Sequence, residues 1–215
     1  MRIALIHALK HSLVPIETSF ARLWPEATLM NLLDDSLSAD VARDGRLTPD
    51  MTDRFLALGR YATSTGANAI LFTCSAFGPC IEACIRELAP LPVLKPNEAM
   101  IEETRALPGP IGLLASFAPT LDSMPPEFAA LAPELVLRSR LVEGALAALE
   151  RGEPKEHDRL AAETAAGMTD CAAFAVAQFS LARAASAIAA ATGRSVVTTP
   201  DSAVRKLKRL LSKEE

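Results

Sequence analysis

Cys74 is the residue whose type and position best suit catalytic chemistry. It closes the apolar segment NAILFTC (68–74) and precedes a helix that we expect to start near Pro79. A thiol beside the free amides of a helix start can have a pKa lowered toward neutrality, and it then acts as a nucleophile or a proton-transferring base. The same amides, with the hydroxyls of Thr73 and Ser75, can hold a carboxylate or an enolate oxygen. A small buried core thiol is the alternative interpretation.

The other cysteines indicate packing rather than a reaction. Cys80 and Cys84 are four residues apart on the helix after Cys74, so they share one face, but no histidine or acidic residue nearby in sequence completes a metal site. Cys171 stands at the start of a later strand, where we expect a core position. Four cysteines in 215 residues do not resemble a disulfide framework, which favours a reducing cytoplasm.

Composition excludes several classes of partner. The formal net charge is −4, and the one basic run, Arg205 to Arg209, is typical of a solvated helix face, so we expect no nucleic acid partner. The alanine-rich segment 172–193 contains polar residues and is a poor membrane span, and no secretory signal is recognisable. Glycine-rich dinucleotide and phosphate loops and the serine nucleophile elbow are also missing from the sequence. We therefore expect no metal and no cofactor.

Short apolar runs alternate with helical stretches, which predicts an α/β protein with mostly parallel sheets. Two helix starts are marked, one by Thr48 and Pro49 and one by Asp201 or Ser202. The eight predicted strands are 2–8, 27–33, 68–74, 91–94, 110–116, 134–139, 172–178 and 195–199.

The second half of the chain repeats the first. A shift of 104 positions carries Ala69 to Ala173, Val93 to Val197 and Pro96 to Pro200 without a gap, and a shift of 108 carries Ile3 to Ile111. This internal duplication predicts two similar parallel-sheet α/β lobes related by a pseudo-twofold axis, with a ligand cleft between them at the strand ends. We expect lobe 1 to comprise residues 1–97 plus 200–215, and lobe 2 to comprise residues 98–199.

The loops after the central strands supply the candidate substrate-binding residues. Lys10 and His11 suit carboxylate recognition or a plain surface, Asp34 and Asp35 suit a turn with Ser36 better than acid–base work, and His157 is expected to face solvent. The candidates that we assign to substrate binding are His7, Ser12, Thr73, Ser75, Ala76, Ser116, Thr120, Phe179 and Ser180.

Four segments together resemble the aspartate/glutamate racemase superfamily, which also contains hydantoin racemases, maleate isomerases and arylmalonate decarboxylases. They are ALIHA at the start, GANAILFTCSAFG around Cys74, IGLLASFAPTL opening the second half and VVTTPDSAVRKL near the end. The resemblance implies a two-lobed fold, a small carboxylate substrate and no cofactor. It also implies a pair of cysteines, one per lobe, that face opposite sides of the substrate α-carbon and exchange its proton.

This sequence departs from that pattern at one position. Cys74 matches the first-lobe cysteine, but both the resemblance and the internal repeat place Gln178 at the second-lobe position. An amide cannot act as a proton-transferring base at neutral pH. We therefore assign Cys74 and Gln178 to catalysis and predict an isomerase- or lyase-type reaction through a single cysteine, although the family's single-cysteine decarboxylases keep the second-lobe cysteine instead.

Three other readings of the sequence stay open. The chain could be a racemase with an unconventional second base, such as His7 or a water held by Gln178. It could be a non-catalytic protein that binds a small carboxylate, or an unrelated cysteine hydrolase. A homodimer would fit any of them.

Overall fold

The computed structural model describes residues 1–212, and the last three residues of the predicted lobe 1 segment 200–215 lie outside the described part. The chain divides into two compact units. Unit 1 comprises residues from Met1 to Pro96 and from Ala203 onward, and unit 2 comprises Asn97–Ser202.

Unit 1 is a four-stranded sheet with flanking helices. All strands are parallel, in the order β2-β1-β3-β4. The elements are β1 (Arg2–His7), α1 (Leu13–Leu23), β2 (Thr28–Leu33), α2 (Ser36–Asp44), α3 (Pro49–Ser64), β3 (Ala69–Phe72), α4 (Gly78–Leu88) and β4 (Val93–Leu94), with short 3-10 turns at Lys10–Ser12 and Ser75–Phe77.

Unit 2 has the same arrangement, with strand order β6-β5-β7-β8 and all strands parallel. Its elements are α5 (Glu98–Thr104), β5 (Ile111–Ala115), α6 (Ala118–Leu131), β6 (Leu137–Leu141), α7 (Ala145–Glu150), α8 (Pro154–Ala166), β7 (Ala173–Val176), α9 (Ala185–Thr192) and β8 (Ser195–Thr198). A 3-10 turn at Ala182–Ala184 precedes α9, and helix α10 (Thr199–Leu211) runs from unit 2 into unit 1.

The strand registers of the two units match and confirm the predicted fold class. Ile3 of β1 pairs with Ala69 of β3, and Ile111 of β5 pairs with Ala173 of β7, which are the same positions after the shifts of 108 and 104. The central strands are buried in both units apart from the exposed Arg2, as expected for parallel sheets covered by helices.

The predicted gapless repeat is wrong at the last strand. Ile70 pairs with Val93 in unit 1, whereas Phe174 pairs with Val196 in unit 2. The strand is therefore offset by 103 positions rather than 104, and Val93 corresponds to Val196 instead of Val197. Two adjacent valines made the incorrect match equally good in sequence.

One of the two predicted helix starts is correct. Thr48 caps α3, because its hydroxyl oxygen accepts the Met51 N–H at 3.3 Å, and Pro49 follows in the first turn. Helix α10, however, begins at Thr199, ahead of the predicted Asp201 or Ser202. The Thr198 hydroxyl oxygen accepts the Asp201 N–H at 3.4 Å and supplies the cap from the end of β8.

His157 is fully buried on α8, so the prediction that it faces solvent is wrong. Its Nδ1 lies 2.8 Å from Asp158 Oδ1, and Arg183 holds the same carboxylate through two hydrogen bonds of 2.8 and 2.9 Å. Burial lowers the pKa of His157 below its ordinary value despite the neighbouring carboxylate. The residues around His157 are polar, so the sequence contains no sign that this position of α8 faces the interior.

Cys80, Cys84 and Cys171 are all buried, which confirms the core position predicted for Cys171. Residues 1–212 contain no cluster of three or more metal-ligating side chains. Within the same residues, no helix combines the length and the apolar character that crossing a membrane requires.

Candidate active site

Cys74 lies just past the carboxyl end of β3, where the chain leaves the sheet. Its neighbour Thr73 still follows the sheet pattern, because the Thr73 N–H donates to the Ile6 carbonyl at 3.0 Å. Cys74 keeps an extended backbone, with φ −126° and ψ 119°, and the 3-10 turn Ser75–Phe77 then leads directly into α4. The helix start predicted near Pro79 is therefore confirmed, and the thiol lies at the junction of a strand and a helix.

An aromatic cluster fixes the turn that follows Cys74. Phe77 is fully buried, and its ring lies 4.8 Å from that of Phe55 on α3. Phe55 in turn stacks at 5.2 Å on Phe72, the last residue of β3. The chain is thus anchored by large buried rings on both sides of Cys74, which holds the position of the thiol.

The electrostatic environment of Cys74 differs from the sequence expectation. The side chain is partly buried, and this burial raises the pKa of the thiol from 9.0 to about 11. A hydrogen bond from the backbone of Ala76 stabilises the thiolate, but it does not offset the desolvation. The predicted lowering of the pKa is therefore wrong. Near neutral pH Cys74 is a protonated thiol, which can donate a proton but is a poor base.

His7, at the end of β1, is buried beside Thr73. Its Nδ1 lies 2.8 Å from Thr73 Oγ1, and its Nε2 lies 3.0 Å from Oδ1 of Asn31 on β2. The Asn31 amide nitrogen donates to Glu17 Oε1 at 2.7 Å, so Asn31 Oδ1 is an acceptor and His7 Nε2 carries the proton. The Thr73 hydroxyl then donates to Nδ1.

This network gives His7 a structural role. Burial lowers the pKa of His7, so the ring is neutral, and both of its nitrogens are engaged within unit 1. Neither is left for a substrate proton, which removes the main support for His7 as a second base. Sequence reasoning missed Asn31, although a polar residue within the strand TLMNLL was a usable signal.

Gln178 occupies the matching place in unit 2. Its neighbour Ala177 donates its N–H to the Leu114 carbonyl at 2.9 Å, as Thr73 does to Ile6 in unit 1. The Gln178 side-chain carbonyl oxygen accepts three hydrogen bonds: from the Ser116 N–H at 2.5 Å, the Ser116 hydroxyl at 3.0 Å and the Phe117 N–H at 3.2 Å. The amide therefore ties the end of β7 to the start of α6.

The structure brings some of the other predicted residues together and buries others. Within the described chain, the predicted residues joined by side-chain hydrogen bonds are His7 with Thr73 and Ser116 with Gln178. Ser75 and Ala76 are partly exposed beside Cys74. The remaining candidates are almost fully buried, and they are Ser12, Thr120, Phe179 and Ser180.

No family model matches this sequence, and no curated protein matches it either. Solved structures match over nearly the whole chain. Glutamate racemase from Francisella tularensis, in complex with D-glutamate, matches with a TM-score of 0.73 at 14% identity, covering 99% of this chain and 81% of that one. The protein has the racemase fold.

Two further structures extend this likeness. Allantoin racemase from Pseudomonas fluorescens matches with a TM-score of 0.72 at 14% identity, covering 100% of this chain and 92% of that one. A glycine-to-cysteine variant of arylmalonate decarboxylase, in a sulfate-associated form, matches with a TM-score of 0.64 at 21% identity, covering 98% and 93%. The racemase fold is thus shared with proteins named for racemisation and for decarboxylation.

Proposed function

We propose that this protein is a cofactor-independent enzyme of the isomerase or lyase type, acting on a small carboxylate through the single thiol of Cys74. The observation that carries the proposal is the pair of matched strand ends, with a protonated thiol in unit 1 and an amide in unit 2. Such a protein can supply one proton from one group. The racemase fold adds support, since its members include racemases and a decarboxylase.

The raised pKa of Cys74 favours a reaction that needs an acid rather than a base. Racemisation begins with removal of an α-proton, and a thiol with a pKa of about 11 is mostly protonated near neutral pH. Decarboxylation of a malonate-type substrate forms the carbanion without a base. The carbon–carboxylate bond breaks, its electron pair stays on the α-carbon as an enediolate, and carbon dioxide leaves.

Cys74 then completes the reaction. Its S–H proton passes to the α-carbon, and the resulting thiolate recovers a proton from water, which its high pKa favours. The hydrogen bond from Ala76 stabilises the thiolate in the interval. A single proton donor delivers to one face of the carbanion, so the product is one enantiomer.

The test is turnover of 2-substituted malonates, including methyl-, phenyl- and 2-methyl-2-phenylmalonate, in deuterated water. We expect carbon dioxide release and a product with one deuterium at the α-carbon, in one enantiomeric form. Cys74→Ala should lower the rate by about 10²- to 10⁴-fold, the usual contribution of a general acid. Cys80→Ala, which alters a core thiol, is the matched control. Full turnover by the Cys74→Ala variant would contradict the proposal.

A carboxylate-binding protein without catalysis is the second candidate. The same raised pKa and the replacement by Gln178 favour it, because both reduce the acid–base chemistry available. Comparing malonate binding with malonate turnover distinguishes the two candidates. A binding protein saturates with malonates and never consumes them, and its Cys74→Ala variant is indistinguishable from the wild type.

The third reading, a racemase with an unconventional second base, is tested by α-proton exchange. Such an enzyme exchanges the α-proton of both enantiomers of a 2-substituted carboxylate with solvent. The engaged ring nitrogens of His7 argue against that outcome.

A further inference from the structure

The orientation of the Gln178 side-chain amide is determined by its surroundings. A glutamine amide has one carbonyl oxygen, which accepts, and one NH₂ group, which only donates. Ser116 and Phe117 present two backbone N–H donors to the carbonyl oxygen, at 2.5 and 3.2 Å, and the Ser116 hydroxyl adds a third contact at 3.0 Å. Turning the amide over would place its NH₂ against two N–H groups, so the observed orientation is the stable one.

One of these hydrogen bonds, from the Phe117 N–H, also serves the cap position of α6. The first N–H groups of a helix have no partner within the helix and need an oxygen from elsewhere. Phe117, the residue that caps α6, provides no side-chain hydrogen bond of its own. Gln178 supplies an oxygen to the Phe117 N–H and holds Ser116 just ahead of the helix, so replacing it would affect folding as well as the site.

The NH₂ group of Gln178 takes no part in these three hydrogen bonds. No hydrogen bond to another residue in the described part of the chain uses it, and the side chain is only partly buried. Its two N–H bonds are therefore fixed in direction by the locked carbonyl and remain available to an acceptor. A carboxylate oxygen is the acceptor that the proposed function supplies.

We propose that Gln178 is a specificity-determining residue, which uses its locked amide to donate a hydrogen bond to a carboxylate oxygen of the ligand. This inference rests on the proposed function, because it names how the carboxylate is recognised. It assigns Gln178 to binding rather than to proton transfer. An acidic residue at this position would reject the ligand, since an acceptor with a negative charge would replace the donor.

Gln178→Glu tests this directly, because glutamate has the same length. One carboxylate oxygen can accept the three hydrogen bonds from Ser116 and Phe117, and a negative charge at a helix start is favourable. We expect a thermal unfolding midpoint within about 2 °C of the wild type. The dissociation constant for malonate, measured by calorimetry, should rise at least about tenfold because the second oxygen repels the ligand.

Two further variants separate recognition from folding. Gln178→Met removes both the acceptor and the donor, so we expect a midpoint lowered by roughly 4–8 °C together with weaker malonate binding. Lys155→Gln makes the same change in net charge at an exposed residue on α8, and it should bind malonate like the wild type. Equal malonate affinity in the wild type and the Gln178→Glu variant would overturn the inference.

Nuclear magnetic resonance adds a direct view of the amide. The side-chain NH₂ signals of Gln178 are assigned by their absence in the Gln178→Glu spectrum. Malonate should shift these signals and leave the backbone amide signals of Ser116 and Phe117 nearly unchanged. Large shifts of those two backbone amides would mean that the ligand displaces Gln178, which overturns the inference, as does an absence of malonate binding by the wild type.

Failure of this inference is distinguishable from failure of the proposed function. If malonate binds as described and the wild type turns over none of the malonates, the chemistry fails and the role of Gln178 stands. If the wild type turns them over and the Gln178→Glu variant is equally active and equally tight in binding, the role of Gln178 fails and the chemistry stands.

Discussion

The two strand ends that carry Cys74 and Gln178 have matching strand pairing and different side-chain chemistry. Each residue lies two positions past its strand, and each follows a residue whose N–H donates to the neighbouring strand, to Ile6 at 3.0 Å and to Leu114 at 2.9 Å. In unit 1 the side chain carries a transferable proton. In unit 2 it carries a fixed amide. The strand pairing of a repeated half can thus be retained while a single position changes its chemical role.

The difference extends to how each unit ties its two central strands together. Unit 1 uses His7 and Thr73, which lie before Cys74 and leave the thiol free of the tie. Unit 2 makes the tie with Gln178 itself, through Ser116, and this consumes the carbonyl oxygen. A side chain that holds strands together is poorly suited to moving protons, because its atoms are already engaged.

The largest expected effect, on α-proton exchange, comes from placing a cysteine at position 178 to match Cys74. Gln178→Cys introduces a second thiol at the end of β7 and frees the N–H groups of Ser116 and Phe117 from the glutamine oxygen, and their partial positive charge favours a thiolate. We expect α-proton exchange of the decarboxylation product, such as 2-phenylpropionate, to rise at least about 10²-fold over the wild type. Gln178→Ser is the control of similar size. Equal exchange rates in both variants would show that unit 2 cannot host a base.

A second prediction concerns the sheets beneath these ends. In unit 2, Gly112 pairs with Phe174, and at the matching place in unit 1, Ala4 pairs with Ile70. A methyl group added at Gly112 would lie 2.5 Å from the Phe174 ring, which is far too close. Gly112→Ala should therefore lower the free energy of unfolding by up to about 3 kcal/mol in urea titrations.

The matching control is the double variant Gly112→Ala with Phe174→Ile, which copies the unit 1 pair. We expect it to recover much of the loss. If the double variant is less stable than both single variants, the two pairs are not interchangeable.

The raised pKa of Cys74 predicts a pH dependence of stability. Burial keeps the folded thiol protonated up to a pKa of about 11, whereas the free thiol has a value of 9.0. Above pH 9 the unfolded chain gives up its proton first, so the free energy of unfolding falls as pH rises toward 11, by about 2 kcal/mol in total. In Cys74→Ala this fall should be smaller, because only the buried thiols of Cys84 and Cys171, whose pKa values are also raised by burial, still contribute to it. Parallel curves for the two proteins would contradict the raised pKa.

The smallest expected effect compares two helix starts. Thr48 caps α3 through a hydrogen bond to the Met51 N–H, whereas Glu153, at the start of α8 in unit 2, makes no such cap. Thr48→Ala should cost about 1 kcal/mol in thermal or urea unfolding. Glu153→Ala should cost less than half of that, and an equal cost would show that the Thr48 cap contributes nothing specific.

The sequence was sufficient to predict the scaffold because the signals for it are local and repeated. Most strands are short apolar runs, with β6 (LRSRL) as an exception. The repeat independently placed Gln178 opposite Cys74 in the alignment of the two halves. The errors arose where neighbouring residues are identical, or where the tertiary fold determines whether a side chain is buried. The adjacent valines 196 and 197 hid a one-residue offset, and a polar stretch hid the buried His157.

The chemistry of the site was less predictable for a related reason. The pKa of Cys74 depends on how much water its surroundings exclude, and no spacing in the sequence reports that quantity. The hydrogen bonds of Gln178 join residues that are 61 and 62 positions apart. Sequence reasoning could name Ser116 as a polar strand-end residue, but only the tertiary structure shows that it binds Gln178.

Helix α10 has a consequence for how the chain is made. The strands of unit 1 are translated before those of unit 2, yet unit 1 also includes the residues from Ala203 onward. There Val204 and Leu207 are buried, and Lys208 donates to the Leu23 carbonyl at 3.0 Å. Unit 2 ends at Ser202 and so has all of its residues before unit 1 does. During synthesis, unit 2 can therefore fold with all of its residues present before unit 1 has received its last helix.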